Sequence, residues 1–305
     1  MIGITGASGY LGGRILRSVA AQRPTGQPLV AMTRRLANAP ALKHFADDVR
    51  QADFAEPGSL TSAFRGIHTL LMVSVEGQDE ERIRLHRNAL EAALACGVKR
   101  ILYTSFFDVD PNSPSSVARV HRLMEADLMA SGTDWVMLRD GPYADNFVKR
   151  IADAAKQDGI FRMAAGEARL PFIGRADLAE AAAAAVLSER SQVAWRLSGA
   201  ELLSCADLCA MFSEVFGLPV RYQAISDEEQ AADLERQGLR ADLIARRIAY
   251  GRAIREGYMS ALTDDFRTLV GRAPTGVRDL LPGLGLDLGS HARQRGVLTR
   301  QERTS

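Results

Sequence analysis

The chain has 305 residues, room for one large or two small domains at about 150 residues each. Lys plus Arg number 38 and Asp plus Glu 37, a net charge of +1, which argues against the basic excess of a nucleic-acid-binding surface. Hydrophobic residues at 47% and charged residues at 25% describe a chain with a packed core rather than a disordered one.

The first half alternates two periods. Short apolar or β-branched runs stand at Met1–Thr5, Leu29–Thr33, Asp48–Ala52, Thr69–Val73, Arg100–Thr104 and Asp134–Leu138. Amphipathic stretches separate them at Tyr10–Ala21, Ala37–Phe45, Gly58–Phe64, Asp79–Cys96 and Ser116–Ser131. This order predicts a Rossmann-type doubly wound α/β fold, a parallel sheet covered by helices on both faces. After Asn146 the pattern loosens. Short strands are expected in Gly159–Ile173 around a turn at Ala165–Gly166, then an Ala-rich helix over Arg175–Leu187 and a strand at Val193–Leu197. A helix over Ser204–Phe216 with Ser204 as N-cap follows. Then come a short strand at Leu218–Gln223 and charge-laced helices at Ser226–Gln237 and Arg240–Arg255. The expected division is a nucleotide-binding domain over 1–158, with 175–198 packing back onto it, and a smaller, mainly helical substrate lobe over 159–305. The stretch from Pro282 has no periodicity and reads as a candidate disordered tail.

Three cysteines, Cys96, Cys205 and Cys209, form no closed disulfide set and fit a reducing compartment. Cys205 and Cys209 read as small buried residues one helical turn apart. No signal peptide is visible, and the most uniform apolar run, Ala181–Leu187, is far shorter than the ~20 residues that span a bilayer. A cytoplasmic protein without membrane association is expected. His44, His68 and His86 lack clustered Cys, Asp or Glu partners at metal-ligand spacing, so no metal is expected.

The strongest motif is Gly6-Ala7-Ser8-Gly9-Tyr10-Leu11-Gly12, between the first strand and the first helix. Gly6 permits a tight turn, Gly9 lets backbone approach a pyrophosphate, and Gly12 allows close packing of the helix. The free N–H groups of the helix start then face an anion. The second strand ends Met32-Thr33-Arg34-Arg35, without the acid that takes a ribose 2′-hydroxyl. Arg34 is instead suited to a 2′-phosphate, so NADP(H) is the expected cofactor, unless both arginines are merely solvated. Asp53-Phe54 after the third strand are placed for an adenine ring, or else begin the next helix. Val73-Ser74-Val75 close the fourth strand and are expected beside phosphate or ribose.

These features, with RQADFAEPGSLTSAFRGIHTLLMVS, HRNALEAALACGVKRILYTS, LRDGPYADNF and GRADLAEAAAAAVL, resemble the NmrA-like branch of the atypical short-chain dehydrogenase/reductases. Within it the chain is most similar to type-2 NAD(P)H:quinone oxidoreductases and triphenylmethane reductases. The similarity runs to about Leu280. It implies a reductase that passes a hydride from NADPH to a small-molecule acceptor, as a monomer or homodimer. Ordinary short-chain dehydrogenases carry Tyr-x-x-x-Lys on the helix after the fifth strand. Here that helix reads VARVHRLMEADLMASG, with neither residue, and Ala126 stands where relatives often keep a lysine. A quinone or similar conjugated electrophile needs less acid assistance than a ketone. The branch also contains regulators that bind NADP without turnover, and reductases or isomerases of enones and ketones form a third class.

Ligands of doubly wound sheets bind beyond the carboxyl ends of the strands. That places Ser105, Phe106 and Phe107 after the fifth strand, and Gly141, Pro142 and Tyr143 after the sixth, near a nicotinamide. Ser105 is a candidate hydrogen-bonding group or a strand cap. Tyr143 is a candidate proton donor or stacking group, or a packing residue. Phe106 and Phe107 suit an apolar wall or the core, and the Pro142 backbone is a candidate for the carboxamide. His121, one turn before Glu125, is a candidate acid or an ordinary surface or core histidine.

Overall fold

A computed structural model describes residues 1–288 of the chain. Seven parallel strands form one sheet in the order β3-β2-β1-β4-β5-β6-β9. In chain order these and their helices are β1 (Ile2–Ile4), α1 (Tyr10–Gln22), β2 (Leu29–Thr33), α2 (Ala39–Leu42), β3 (Asp48–Gln51), α3 (Pro57–Phe64), β4 (Thr69–Met72), α4 (Asp79–Ala95), β5 (Arg100–Phe106), α5 (Ser116–Ala130), β6 (Asp134–Asp140), α6 (Ala144–Gln157), β7 (Ile160–Met163), β8 (Arg169–Leu170), α7 (Arg175–Leu187) and β9 (Val193–Leu197). Then follow β10 (Leu203–Ser204), α8 (Cys205–Phe216), β11 (Arg221–Ala224), α9 (Asp227–Arg236), α10 (Ala241–Arg255), α11 (Asp265–Val270) and α12 (Val277–Leu280). The fold is a Rossmann-type parallel sheet followed by a mainly helical C-terminal region.

Two compact units divide the chain. The first holds Met1–Asp140, Arg175–Leu197 and Thr263–Ala273. Its inner strands β1, β2 and β4 are buried along their whole length, which is why they read as continuous apolar runs. Helices α3, α4 and α5 pack in series, and Phe64, Leu70, Leu90, Ile101 and Met124 share one core cluster with them. Helix α1 packs instead on α7. α7 is apolar almost all round, and eight of its residues are buried, the condition in which such a helix is stable.

Strand β9 lies at the sheet edge, where unpaired backbone would be a template for aggregation. Here Asp265 accepts from the Arg196 N–H at 2.6 Å and Thr263 donates to the Arg196 carbonyl. Arg272, from the same returning segment, pairs with Asp177 at 2.6 Å and with Glu180 of α7.

The second unit holds Gly141–Gly174, Ser198–Leu262 and the described residues from Pro274 onward. The boundary therefore falls at Asp140 rather than 158, and 263–273 joins the first unit as well as 175–197. The reason is α6, a helix not anticipated after Asn146. Its buried face of Phe147, Val148, Ile151 and Ala152 belongs with β7 and α8. The strands expected around Gly166 do not pair with each other. β7 pairs parallel with β11, and β8 pairs antiparallel with β10. Ser204 caps α8 in a reciprocal box with Asp207, and Ser226 does the same for α9 with Glu229. The helix expected over Ala37–Phe45 shrinks to a 3₁₀ turn and the single turn α2, where Pro40 forces a start and Leu42 alone is buried. Of the candidate tail, Pro282 sits in a 3₁₀ turn over Leu281–Gly283, and residues 289–305 lie outside the described residues.

One buried cation closes the first unit's core. Arg100, at the start of β5, donates to the carbonyls of Ala185 at 3.0 Å, Val186 at 3.1 Å and Arg190 at 2.6 Å, capping the C-terminal end of α7. Arg100→Met strands these carbonyls in a buried site. We expect it to cost about 2–4 kcal/mol, read as a lowered urea midpoint.

Candidate nucleotide-binding site

The strand order reverses between β1 and β4, so the crevice beyond the carboxyl ends of the first unit's strands is the expected ligand position. The turn there is built around Gly6, which holds φ +60°. The Gly9 N–H closes it on the Gly6 carbonyl at 2.8 Å. A Cβ on Gly12 would stand 2.2 Å from the Gly6 carbonyl oxygen, closer than any side chain tolerates. Gly12 thus lets the helix close on its own turn. The Ala7 N–H is spent on Met32 at 2.9 Å, tying the turn to β2. The Ser8 hydroxyl meets that of buried Thr33 at 2.9 Å.

Helix α1 has Gly9 as its N-cap, with no side-chain cap bond and no acid in its first turn. Its N-terminus, formed by Tyr10, Leu11 and Gly12, is therefore open to an anion. The rim is basic. Tyr10 is 46% exposed, with Arg14 stacked 3.7 Å and Arg175 of α7 4.5 Å from its ring centroid. Arg34 and Arg35 are exposed, and among the described residues neither guanidinium has a hydrogen-bonding or ionic partner. Sequence spacing gave no signal for Arg175, because only the packing of α7 on α1 carries it to this place.

Three successive N–H groups beyond β4 are engaged by side chains from three elements. Val73 donates to Thr5 at 2.9 Å, Ser74 to Thr104 at 2.8 Å and Val75 to His86 Nε2 at 3.1 Å. These N–H groups are not offered to a ligand, and their bonds hold the segment in place beyond the carboxyl end of β4. The Phe54 ring is also in the core, and its carbonyl accepts from Asn88. Asp53 accepts from the Ala55 N–H at 2.9 Å in the approach to α3.

Behind β4 and β5 lies a buried polar chain. Arg82 donates from Nε to the Val75 carbonyl at 2.8 Å and from Nη2 to His121 Nε2 at 2.9 Å. His121 must then carry its proton on Nδ1, 2.9 Å from the Tyr103 hydroxyl. His86, accepting at Nε2, carries its proton on Nδ1, 3.4 Å from the same oxygen. Burial, with the charge of Arg82 second, pushes the His86 pKa down to about 3. Burial also pushes the Tyr103 hydroxyl far above its ordinary value.

Strand register aligns Ser105 with Arg139, so both side chains share the face covered by α5. Ser105 donates to Glu125 at 2.6 Å, and Arg139 grips the same carboxylate at 2.9 and 2.6 Å. Ser105 and His121 are thus buried and bonded inward rather than turned to solvent. Phe107 is core beneath the guanidinium of Arg196, whereas Phe106 is half-buried beside His121. In the second unit, Ile173 binds the Pro142 carbonyl at 3.0 Å and receives the Ala144 N–H at 2.9 Å. The Pro142 carbonyl is therefore already engaged. This bridge holds buried Gly141 and Pro142 and half-buried Tyr143 at the start of α6.

His86 gives a pH signature. Its folded pKa lies below the unfolded value, so below pH ~6.5 the unfolded chain takes up a proton that the folded one refuses. Between pH 7 and 5 we expect the unfolding free energy to fall by about 2 kcal/mol more in the parent than in His86→Gln, measured by urea titration.

The geometry fits NAD(P)H: a glycine cradle that any Cβ at Gly12 would fill, an open helix N-terminus and, at the end of β2, the exposed Arg34 and Arg35. A family model described as NAD(P)H-binding matches residues 6–189. Quinone oxidoreductase 2 of Escherichia coli is 38% identical over 250 residues, 80% of this chain and 86% of that protein. An NmrA-like family domain-containing oxidoreductase of Aspergillus flavus is 27% identical over 303 residues, 94% of this chain and 96% of that protein. The structure of Citrobacter sp. triphenylmethane reductase complexed with NADP(H) superposes with a TM-score of 0.85 at 29% identity, covering 93% of this chain and 100% of that one. The chain belongs to the NAD(P)H-binding, NmrA-like atypical short-chain dehydrogenase/reductase family and is an NAD(P)H-dependent oxidoreductase related to quinone oxidoreductase 2.

Proposed function

We propose that the chain reduces a quinone or a similar conjugated electrophile with NADPH. The observation that carries this reading is the state of α5. It bears no tyrosine or lysine, and its inward titratable groups, His121 and Glu125, are buried and bonded inside the protein. Such a site supplies no strong general acid from that helix, which suits an acceptor whose reduced form is a delocalised anion of low proton affinity. The relatedness to quinone oxidoreductase 2 supports the same acceptor class.

In this reading the Gly6–Gly12 turn and the start of α1 hold the pyrophosphate, with Ser8 and Thr33 joining the turn to β2. Arg34 takes the 2′-phosphate, and Arg14 and Arg175 add positive potential at the rim. Asp53 lies on the adenine side. Reduced nicotinamide, when bound, supplies the hydride. Ser105 and His121 act as positioning residues: they lock β5 to α5 and hold the segment from Val73 to Val75, leaving the acceptor to be oriented rather than protonated. Gly141 and Pro142 form a stiff loop, and Tyr143 is the candidate hydroxyl for a late proton.

Two measurements test this. Purified protein with NADPH is expected to reduce simple benzo- and naphthoquinones, followed by loss of reduced-nicotinamide absorbance, while unconjugated ketones stay inert. Tyr143→Phe then lowers kcat severalfold at unchanged KM; an unaltered rate assigns Tyr143 to packing. No quinone turnover despite tight NADP⁺ binding would favour a cofactor-sensing role instead. Separately, Arg34→Ala is expected to weaken NADPH binding at least tenfold and leave NADH binding nearly unchanged, by calorimetry. Equal losses would remove the 2′-phosphate assignment.

A further inference from the structure

The rim of the nucleotide site gathers charge of one sign where helix electrostatics opposes it. Cations are unfavourable at a helix N-terminus, because the dipole there is already positive. Yet Arg175 is the first residue of α7, and Arg14 stands one turn on from Tyr10, the first residue of α1. α1 packs on α7, and the two arginines meet at one side chain. The guanidinium carbon of Arg14 lies 3.7 Å from the Tyr10 ring centroid, and that of Arg175 lies 4.5 Å from it.

The acids of the two helix starts do not balance this charge. α1 has no acid in its first turn. The acid in the first turn of α7, Asp177, is gripped by Arg272 at 2.6 Å. Both hydrogen bonds of the Arg14 guanidinium return to Tyr10, at 2.9 Å to the hydroxyl and 3.4 Å to the carbonyl, and among the described residues Arg14 meets no carboxylate. A ring face attracts a guanidinium but carries no net charge, so Tyr10 orients these cations without neutralising them. An arginine laid on a ring has given up part of its freedom before any ligand arrives, which lowers the cost of binding. The ring springs from the turn whose N–H groups are uncapped, and it is 46% exposed.

We propose that Tyr10, Arg14 and Arg175 form a clasp for the cofactor's pyrophosphate. Arg14, bonded to both the hydroxyl and the carbonyl of Tyr10, braces the ring. Arg175, which reaches the ring from α7, takes the pyrophosphate, and Tyr10 is its positioning residue. The inference rests on the pyrophosphate seat at Gly6–Gly12 given above and is independent of the acceptor. NADPH and NADH share the pyrophosphate, so the clasp strengthens both by the same factor, whereas Arg34 acts on the 2′-phosphate alone.

Calorimetric titration of the full-length protein and its variants with NADPH and with NADH tests the clasp. Arg175→Gln is expected to weaken both dinucleotides about fivefold or more and to leave the preference between them within about twofold of the parent's. Arg175→Lys recovers part of the loss. Tyr10→Leu weakens both dinucleotides too, and Tyr10→Phe, which keeps the ring, retains most of the affinity. Tyr10→Leu combined with Arg175→Gln loses less than the two single changes multiplied together, because the ring acts through the arginine. Unchanged binding in Arg175→Gln, a loss confined to NADPH, or fully multiplicative losses in the double variant overturns the proposal while the pyrophosphate seat stands. A parent that binds neither dinucleotide overturns the seat itself, and the clasp with it.

Discussion

At the opening of the chain, the Gly6 carbonyl and the α-carbon of Gly12 approach so closely that no side chain fits between them. The helix start is thereby drawn down onto the turn, and its N–H groups converge without a side-chain cap to satisfy them. An anion is the natural complement to that arrangement, because the orphan donors and the helix dipole act in the same direction. The turn between β1 and α1 is organised about this contact. The Ala7–Met32 hydrogen bond and the Ser8–Thr33 pair then carry the geometry of the turn to the end of β2, where Arg34 and Arg35 project.

A second device keeps the adjoining strand ends in place. Beyond Met72 the ladder stops, yet the next three N–H groups are taken by Thr5, Thr104 and His86. Arg82 takes the Val75 carbonyl and passes its own demand to His121 and Tyr103. Buried polar groups cost free energy unless they are bonded, so this chain stabilises only one arrangement of loop, strand and helix. Where ordinary members of the superfamily expose a tyrosine and a lysine on the corresponding helix, this protein buries a histidine and a glutamate. In the proposed reading that leaves orientation more than proton donation to the protein, which suits a conjugated acceptor.

Much was legible in the order of residues. Period-two and helical runs alternate clearly over the first 140 positions, because inner parallel strands bury both faces and leave continuous apolar stretches. The glycine spacing marked the turn, and the end of the second strand showed two arginines and no acid. Helix α6 was missed although Ala144, Phe147, Val148 and Ile151 repeat at helical spacing, because the strand-helix alternation ended just before it. The pairing of β7 with β11 was not legible at all, since two short runs some sixty positions apart carry no mark of each other.

The sequence by itself determined the sheet class, the glycine turn before α1, the missing acid at the end of the second strand and the missing Tyr-x-x-x-Lys. Each of these is a local property, set by residue type and spacing within a few positions. Only the tertiary structure decided that Ser105 and His121 face inward, that Phe54 is core and that Arg175 joins the rim of α1. Those outcomes depend on which side chains long-range packing brings together, and burial and charge pairing arise from that packing rather than from neighbours along the chain.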